Sequence, residues 1–157
     1  MGLPRRSDMT LRWLVATLHL LVLPLGLGAI WTRARALTGV HVGGSLARVF
    51  LADTLWGIAA LLWIGSGVWR AFGGLEKGTA YYVHDKPFNV KMALLVVILL
   101  LEVWPMITLI RWRIQARRGS AVDLQVAPML ARVSYVQAAL VILMVFAATA
   151  VARGYFY

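Results

Sequence analysis

An all-α integral membrane protein, an up-and-down four-helix bundle, is the fold class this sequence predicts. Three observations carry it. Hydrophobic residues make up 61% of the 157 positions and charged ones only 14%, more apolar and less charged than an ordinary soluble domain. The apolar residues gather into four runs, each about the 20 residues needed to cross a hydrocarbon core of roughly 30 Å. The connections between runs are short, and that makes neighbouring helices antiparallel and puts both termini on one side. The whole chain forms one transmembrane domain, residues 1–157, with helices expected at about 11–33, 48–70, 88–112 and 131–153.

The first run, Leu11 to Trp31, follows a short arm carrying Arg5 and Arg6. It exceeds a secretory h-region, and Arg33 and Arg35 beside the Ala34-Arg35-Ala36 triplet read as a stop to translocation, so the run is retained as a mature helix. Pro24 removes one helical donor, Gly26 and Gly28 permit close helix approach, and Trp13 and Trp31 mark its two interfaces. The second run, Phe50 to Trp69, holds Asp53 and a series of small residues (Gly57, Ala60, Gly65, Ser66, Gly67) that reads as a packing surface, with Trp56 and Trp63 one heptad apart beside it.

The third run, Phe88 to Ile110, is preceded by RAFGGLEKGTAYYVHDKP, in which Gly73-Gly74 and Asp85-Lys86-Pro87 are turn signals and Tyr81 and Tyr82 suit the headgroup level. It carries Lys91 near its start and Glu102 past its middle. Eleven helical residues return to within about 20° of the starting direction, so these two share a face, roughly 16 Å apart, with Leu95 and Ile98 between them. The fourth run, Val133 to Ala152, opens with Ser134, Tyr135 and Gln137, polar residues suited to interhelical hydrogen bonds.

A net charge of +10 suggests nucleic acid at first sight. The arginines, however, sit mostly between the apolar runs, as topology signals and phospholipid contacts do, and no nucleic-acid motif accompanies them. Basic residues divide almost evenly between the two sides. The densest cluster, Arg111 to Arg118, places that side in the cytoplasm and both termini in the periplasm of a bacterial inner membrane. Cysteine is absent, so disulfides, thiolate metal sites, cysteine-held iron–sulfur clusters and C-x-x-C-H haem attachment are excluded.

Alternating helix direction sorts the intrahelical polar residues into two layers. Towards the termini lie His19 and Lys91, with His84, Arg70 and Arg12 on the same side. A neutral imidazole and a desolvated lysine can ligate a metal or transfer protons. They can equally be a packed histidine bonded to the backbone and a lysine snorkelling to the headgroups. Towards the opposite side lie Asp53, Glu102 and Arg132, which form either a proton or ion path or a structural ion pair that sets helix register, one carboxylate pairing with Arg132.

Three segments carry a resemblance: WLVATLHLLVLPLGLGAIWTR with His19, ADTLWGIAALLWIGSGVWRAFGG with Asp53 and Gly57, and KPFNVKMALLVVILLLEVWPMITLIRWR with Lys91. Together they resemble a family of small bacterial four-helix membrane proteins catalogued as a domain of unknown function, over almost the whole chain. More distantly, a histidine in the first helix and a lysine opening the third are similar to the haem-containing, oxygen-independent protoporphyrinogen oxidases and to the membrane part of copper-resistance protein D. That second resemblance implies b-type haem, or a porphyrin, with His19 and Lys91 as ligands to the iron, His84 as an alternative ligand, Arg12 or Arg70 near the propionates, and a redox role. This chain has Phe88, Asn89 and Val90 where the oxidases carry tryptophan and histidine near the lysine. The competing expectations are a structural or assembly subunit of a membrane complex, or of a homo-oligomer, and a small proton-coupled transporter using Asp53 and Glu102.

Overall fold

The computed structural model describes residues 6–72 and 86–153. Within them the chain forms four long helices: α1 (Arg6–Gly39), α2 (Leu46–Phe72), α3 (Lys86–Arg117) and α4 (Ala127–Arg153). All four are long and apolar enough to cross a membrane, and the expected all-α four-helix bundle is what the chain builds. Exposed Arg12 and Arg35 bracket α1; Arg48 and Arg70 bracket α2, Lys91 and Arg111 α3, Arg132 and Arg153 α4. Each pair is roughly 20 to 23 residues apart, about 30 to 35 Å of helix and close to the thickness of a hydrocarbon core.

The helices extend beyond the apolar runs, and the first extends most. It continues to Gly39 and passes through a single 3-10 turn, Val40–Val42, before α2 begins. Arg33 therefore lies inside a helix and not at its end. Backbone geometry makes the corner between α1 and α2: Gly43 has φ +88°, and the Gly44 amide donates to the Gly39 carbonyl at 3.0 Å. A Cβ at Gly44 would come within 2.6 Å of that same oxygen. Both internal prolines, Pro24 in α1 and Pro105 in α3, are accommodated without ending the helix.

α1 packs along α2 on one side and α4 on the other, and α3 packs along α4. The interior divides into two apolar clusters. Leu37, Val40, Val49, Leu109, Trp112, Ala127, Leu130 and Ala131 join the helix ends around the α1–α2 and α3–α4 connections. Ala29, Ile30, Trp56, Ile98, Ala138, Val141 and Met144 fill the middle. Between α2 and α3 the seam is filled by side chains, with Trp56 and Trp63 of α2 against Leu95 and Ile98 of α3 around a narrow space of about 30 Å³.

The run of small residues in α2 packs less than its composition suggests. A Cβ on Gly57 or Gly65 would meet nothing within 4 Å, and the same holds for Gly28 in α1. Close approach is confined to Gly26, against Trp56 and Ala59, and to Gly67, where a Cβ would stand 3.1 Å from His19 Cε1.

Candidate functional site

Two polar layers cross the apolar interior, about 21 Å apart along α1. The larger centres on Arg33, whose side chain is fully buried. A guanidinium carries five N–H donors in a rigid planar fork and stays charged under all ordinary conditions. Here all five are used. Nε donates to Ser134 Oγ at 3.1 Å. Nη1 donates to Asp53 Oδ1 at 2.9 Å and to Glu102 Oε1 at 2.7 Å. Nη2 donates to Glu102 Oε2 at 2.8 Å and to Gln137 Oε1 at 2.9 Å. One side chain of α1 thus holds α2, α3 and α4 together.

The partners are themselves satisfied. Gln137 Nε2 donates to Glu102 Oε2 at 2.8 Å and to the Ile98 carbonyl at 3.2 Å, and Ser134 Oγ donates to the Leu130 carbonyl at 2.9 Å. The second oxygen of Asp53 accepts from Arg113 Nη2 at 2.7 Å, and that nitrogen also donates to the Phe50 carbonyl at 2.7 Å. The Arg113 guanidinium lies 5.2 Å from the centre of the Phe50 ring. Two guanidiniums face two carboxylates, so the formal charge sums to zero. Without that balance, an unpaired charge in this setting would cost several kcal/mol. Arg113 Nε is the one buried side-chain polar atom without a partner among the described residues.

Asp53 and Glu102 are thus brought together as the sequence suggested, but their cation is Arg33, with Arg113 beside it. Arg132 is exposed and bonds to neither. The reason is length: with α1 ending near residue 33, Arg33 reads as a flanking charge, whereas the observed helix carries it one and a half turns inside, pointing to the axis. The hydrophobic run could not reveal this. A signal did exist in Ser134 and Gln137, two polar residues three apart on one helix face, which need a multivalent donor opposite them.

The smaller layer contains His19. Its Nδ1 lies 2.8 Å from Ser66 Oγ, and Ser66 Oγ donates its single proton to the Trp63 carbonyl at 3.1 Å. With that proton engaged, Ser66 accepts from His19 in the tautomer that carries the imidazole proton on Nδ1. The imidazole stacks on Trp63 with centroids 5.3 Å apart and planes 18° apart, and Lys91 Nζ lies 5.9 Å from the Trp63 ring centre. His19 and Lys91 line the same cavity, of about 60 Å³, with Trp63, Phe72, Phe88 and Met144 among its walls. Arg70 is half-buried and Arg12 exposed, and neither lines that cavity. His84, Tyr81 and Tyr82 lie outside the described residues.

For a tetrapyrrole, the chemistry and the space disagree. An imidazole held through Nδ1 is the usual presentation of a ligating histidine. Yet about 60 Å³ is well below the several hundred Å³ of an ordinary small-molecule site, so haem does not fit between His19 and Lys91 in this packing.

Residues 11–155 match the family described as predicted membrane protein (DUF2214). The chain belongs to this family. No curated protein and no solved structure matches it, so these comparisons lend no support to the likeness to haem-containing oxidases or to copper-resistance protein D.

Proposed function

We propose that this DUF2214 member is a non-catalytic structural or assembly subunit of a bacterial inner-membrane complex. One observation carries the reading: the charged centre is closed on itself. Arg33 spends all five donors on groups from the other three helices, and the two carboxylates are held by two guanidiniums. Such a cluster fixes register and orientation, the best-attested use of buried charge. A proton or ion carrier needs a carboxylate that can change its partner, which this arrangement opposes. The outer faces remain apolar and available to lipid or to neighbouring subunits, including a second copy.

We infer the orientation from the density of exposed arginines at one end of the bundle. Arg35, Arg48, Arg111, Arg117, Arg118 and Arg132 are all exposed at the helix ends around the α1–α2 and α3–α4 connections. That side faces the cytoplasm by the positive-inside rule, with both termini periplasmic.

A second reading has one observation in its favour. His19, hydrogen-bonded to Ser66 through Nδ1, shares a cavity wall with Lys91, and an imidazole with an amine is a donor set for a b-type haem iron.

Purification in mild detergent, with oxidised and reduced visible spectra and a haemochrome count, decides between them. The structural reading expects a colourless protein, even when expressed with excess haem, that migrates in a defined assembly larger than one 17.4 kDa chain. A Soret band near one haem per chain, lost in His19→Ala, would replace it with the second reading. Transport into liposomes that depends on pH and vanishes in Glu102→Gln would replace both.

A further inference from the structure

We propose that the seam between α1 and α4 seats the phosphate of an anionic phospholipid, held by Arg35 and Arg132 one turn outside the Trp31–Tyr135 contact. The placement follows from four residues. The rings of Trp31 on α1 and Tyr135 on α4 meet edge to face, with centroids 5.2 Å apart and planes at 78°, so these two helix faces are turned to each other. Arg35 follows Trp31 by one turn and Arg132 precedes Tyr135 by one turn, which keeps each arginine on the face of its aromatic neighbour. Because the two helices are antiparallel, both arginines fall on the same, outward side of the ring contact.

The electrostatics call for an anion there. Arg35 and Arg132 are exposed, and neither makes an ion pair or side-chain hydrogen bond among the described residues. The carboxylates on the neighbouring helices are turned inward, Glu102 to Arg33 and Asp53 to Arg33 and Arg113. Asp123, in the α3–α4 connection, accepts from the Gln125 amide. Two guanidiniums on adjacent helices, with no carboxylate between them among the described residues, form a site for a group that takes forked hydrogen bonds and carries negative charge, as a phosphodiester does. The source of the phosphate is the bilayer and not the solvent. Trp31 is half exposed and Tyr135 partly so, a pairing suited to the headgroup boundary, where an acyl chain leaving the phosphate would run down past the rings.

The test uses the full chain in mild detergent, with native mass spectrometry counting bound lipid during titration with dioleoyl phosphatidylglycerol, dioleoyl phosphatidylcholine or inorganic phosphate. The expected result is one tightly held phosphatidylglycerol per chain, weakened about tenfold or more in Arg35→Gln/Arg132→Gln and unchanged in Arg117→Gln/Arg118→Gln, which removes the same charge from the end of α3. Both double variants alter exposed side chains, so circular dichroism should show them folded. Equal weakening in the two variants would reduce the effect to net charge and overturn the site. So would equal binding of phosphatidylcholine, or displacement of the lipid by millimolar inorganic phosphate.

Discussion

Arg33 donates to both oxygens of Glu102, at 2.7 and 2.8 Å, across a sequence separation that joins the first helix to the third. This forked pair is the geometry that distinguishes arginine from lysine. Arg33→Lys keeps the charge but offers three donors from a single point, too few to reach Ser134, Asp53, Glu102 and Gln137 at once. Arg33→Met leaves Glu102 without a cation. Removing one partner of a buried ion pair costs about 3 to 5 kcal/mol. We expect Arg33→Met to lose that much in denaturation monitored by tryptophan fluorescence in mixed micelles, and Arg33→Lys to lose a smaller but clear amount. A loss under about 1 kcal/mol in Arg33→Met would show that water reaches the cluster and screens it.

The same pair predicts a non-additive double variant. Asp53 keeps Arg113 at 2.7 Å when Arg33 is removed, so Glu102 is the group stranded by Arg33→Met. Replacing it as well, in Arg33→Met/Glu102→Met, removes both charges and puts two flexible apolar chains in their place. The double variant should be more stable than the sum of the single losses implies, by about 1 to 3 kcal/mol, the range for residues in direct contact. Simple additivity in the double-mutant cycle would mean that the two side chains do not interact in the folded bundle.

How far the sequence reveals this arrangement depends on which physical signal each part rests on. The helices are legible because four apolar runs of membrane length are a gross signal, and His19 and Lys91 share a cavity because depth along antiparallel helices follows from counting residues. Arg33 is the part that counting misses. Hydropathy ends α1 where the charges begin, but hydrogen bonding continues the helix to Gly39, and only then does Arg33 turn inward while Arg35 turns out. Arg132 looks equivalent because it flanks its run at a similar depth, but it is exposed on the Tyr135 side of α4 and not on the Ser134 and Gln137 side that meets Arg33. Composition likewise cannot tell which glycines meet a neighbouring helix: Gly67 abuts His19 and Gly65, two residues earlier, faces open space.

That contrast can be measured by alanine substitution. Gly57→Ala and Gly65→Ala place a methyl where nothing lies within 4 Å, and they remove a residue that weakens helices by about 1 kcal/mol relative to alanine. Both should leave stability unchanged or slightly raised. Gly44→Ala places its Cβ 2.6 Å from the Gly39 carbonyl oxygen, against backbone that cannot move aside without opening the corner. It should destabilise the protein, by about 1 to 3 kcal/mol for strain of this kind. A stabilising Gly44→Ala would show that the α1–α2 corner relaxes freely and that the amide bond to Gly39 does not hold it.

The orientation is open to a direct reading, because the chain contains no cysteine. A single Ser120→Cys, at an exposed position in the α3–α4 connection, should react with a membrane-impermeant maleimide only after the cells are opened. Labelling in intact cells, once the outer membrane is permeabilised, would put the arginine-rich side in the periplasm and reverse the assignment of both termini.

The hydrogen bond between His19 and Ser66 separates a packing role from a ligand role. Ser66→Ala removes the acceptor for Nδ1–H in a buried site, and an unsatisfied buried donor costs about 1 to 3 kcal/mol. Gly67→Ala leaves that acceptor in place but brings a methyl to 3.1 Å from His19 Cε1, displacing the ring by a few tenths of an ångström or more. If His19 only packs, both variants lower stability and neither changes the absorption spectrum of a colourless protein. If His19 ligates haem, the two should diverge from stability in a second readout. Ser66→Ala would make the imidazole a weaker donor and lower haem content even at temperatures where the bundle is fully folded, and Gly67→Ala would shift the reduced-band position by moving the ring. Haem content that follows folded fraction alone across both variants would rule out a ligand held in place by Ser66.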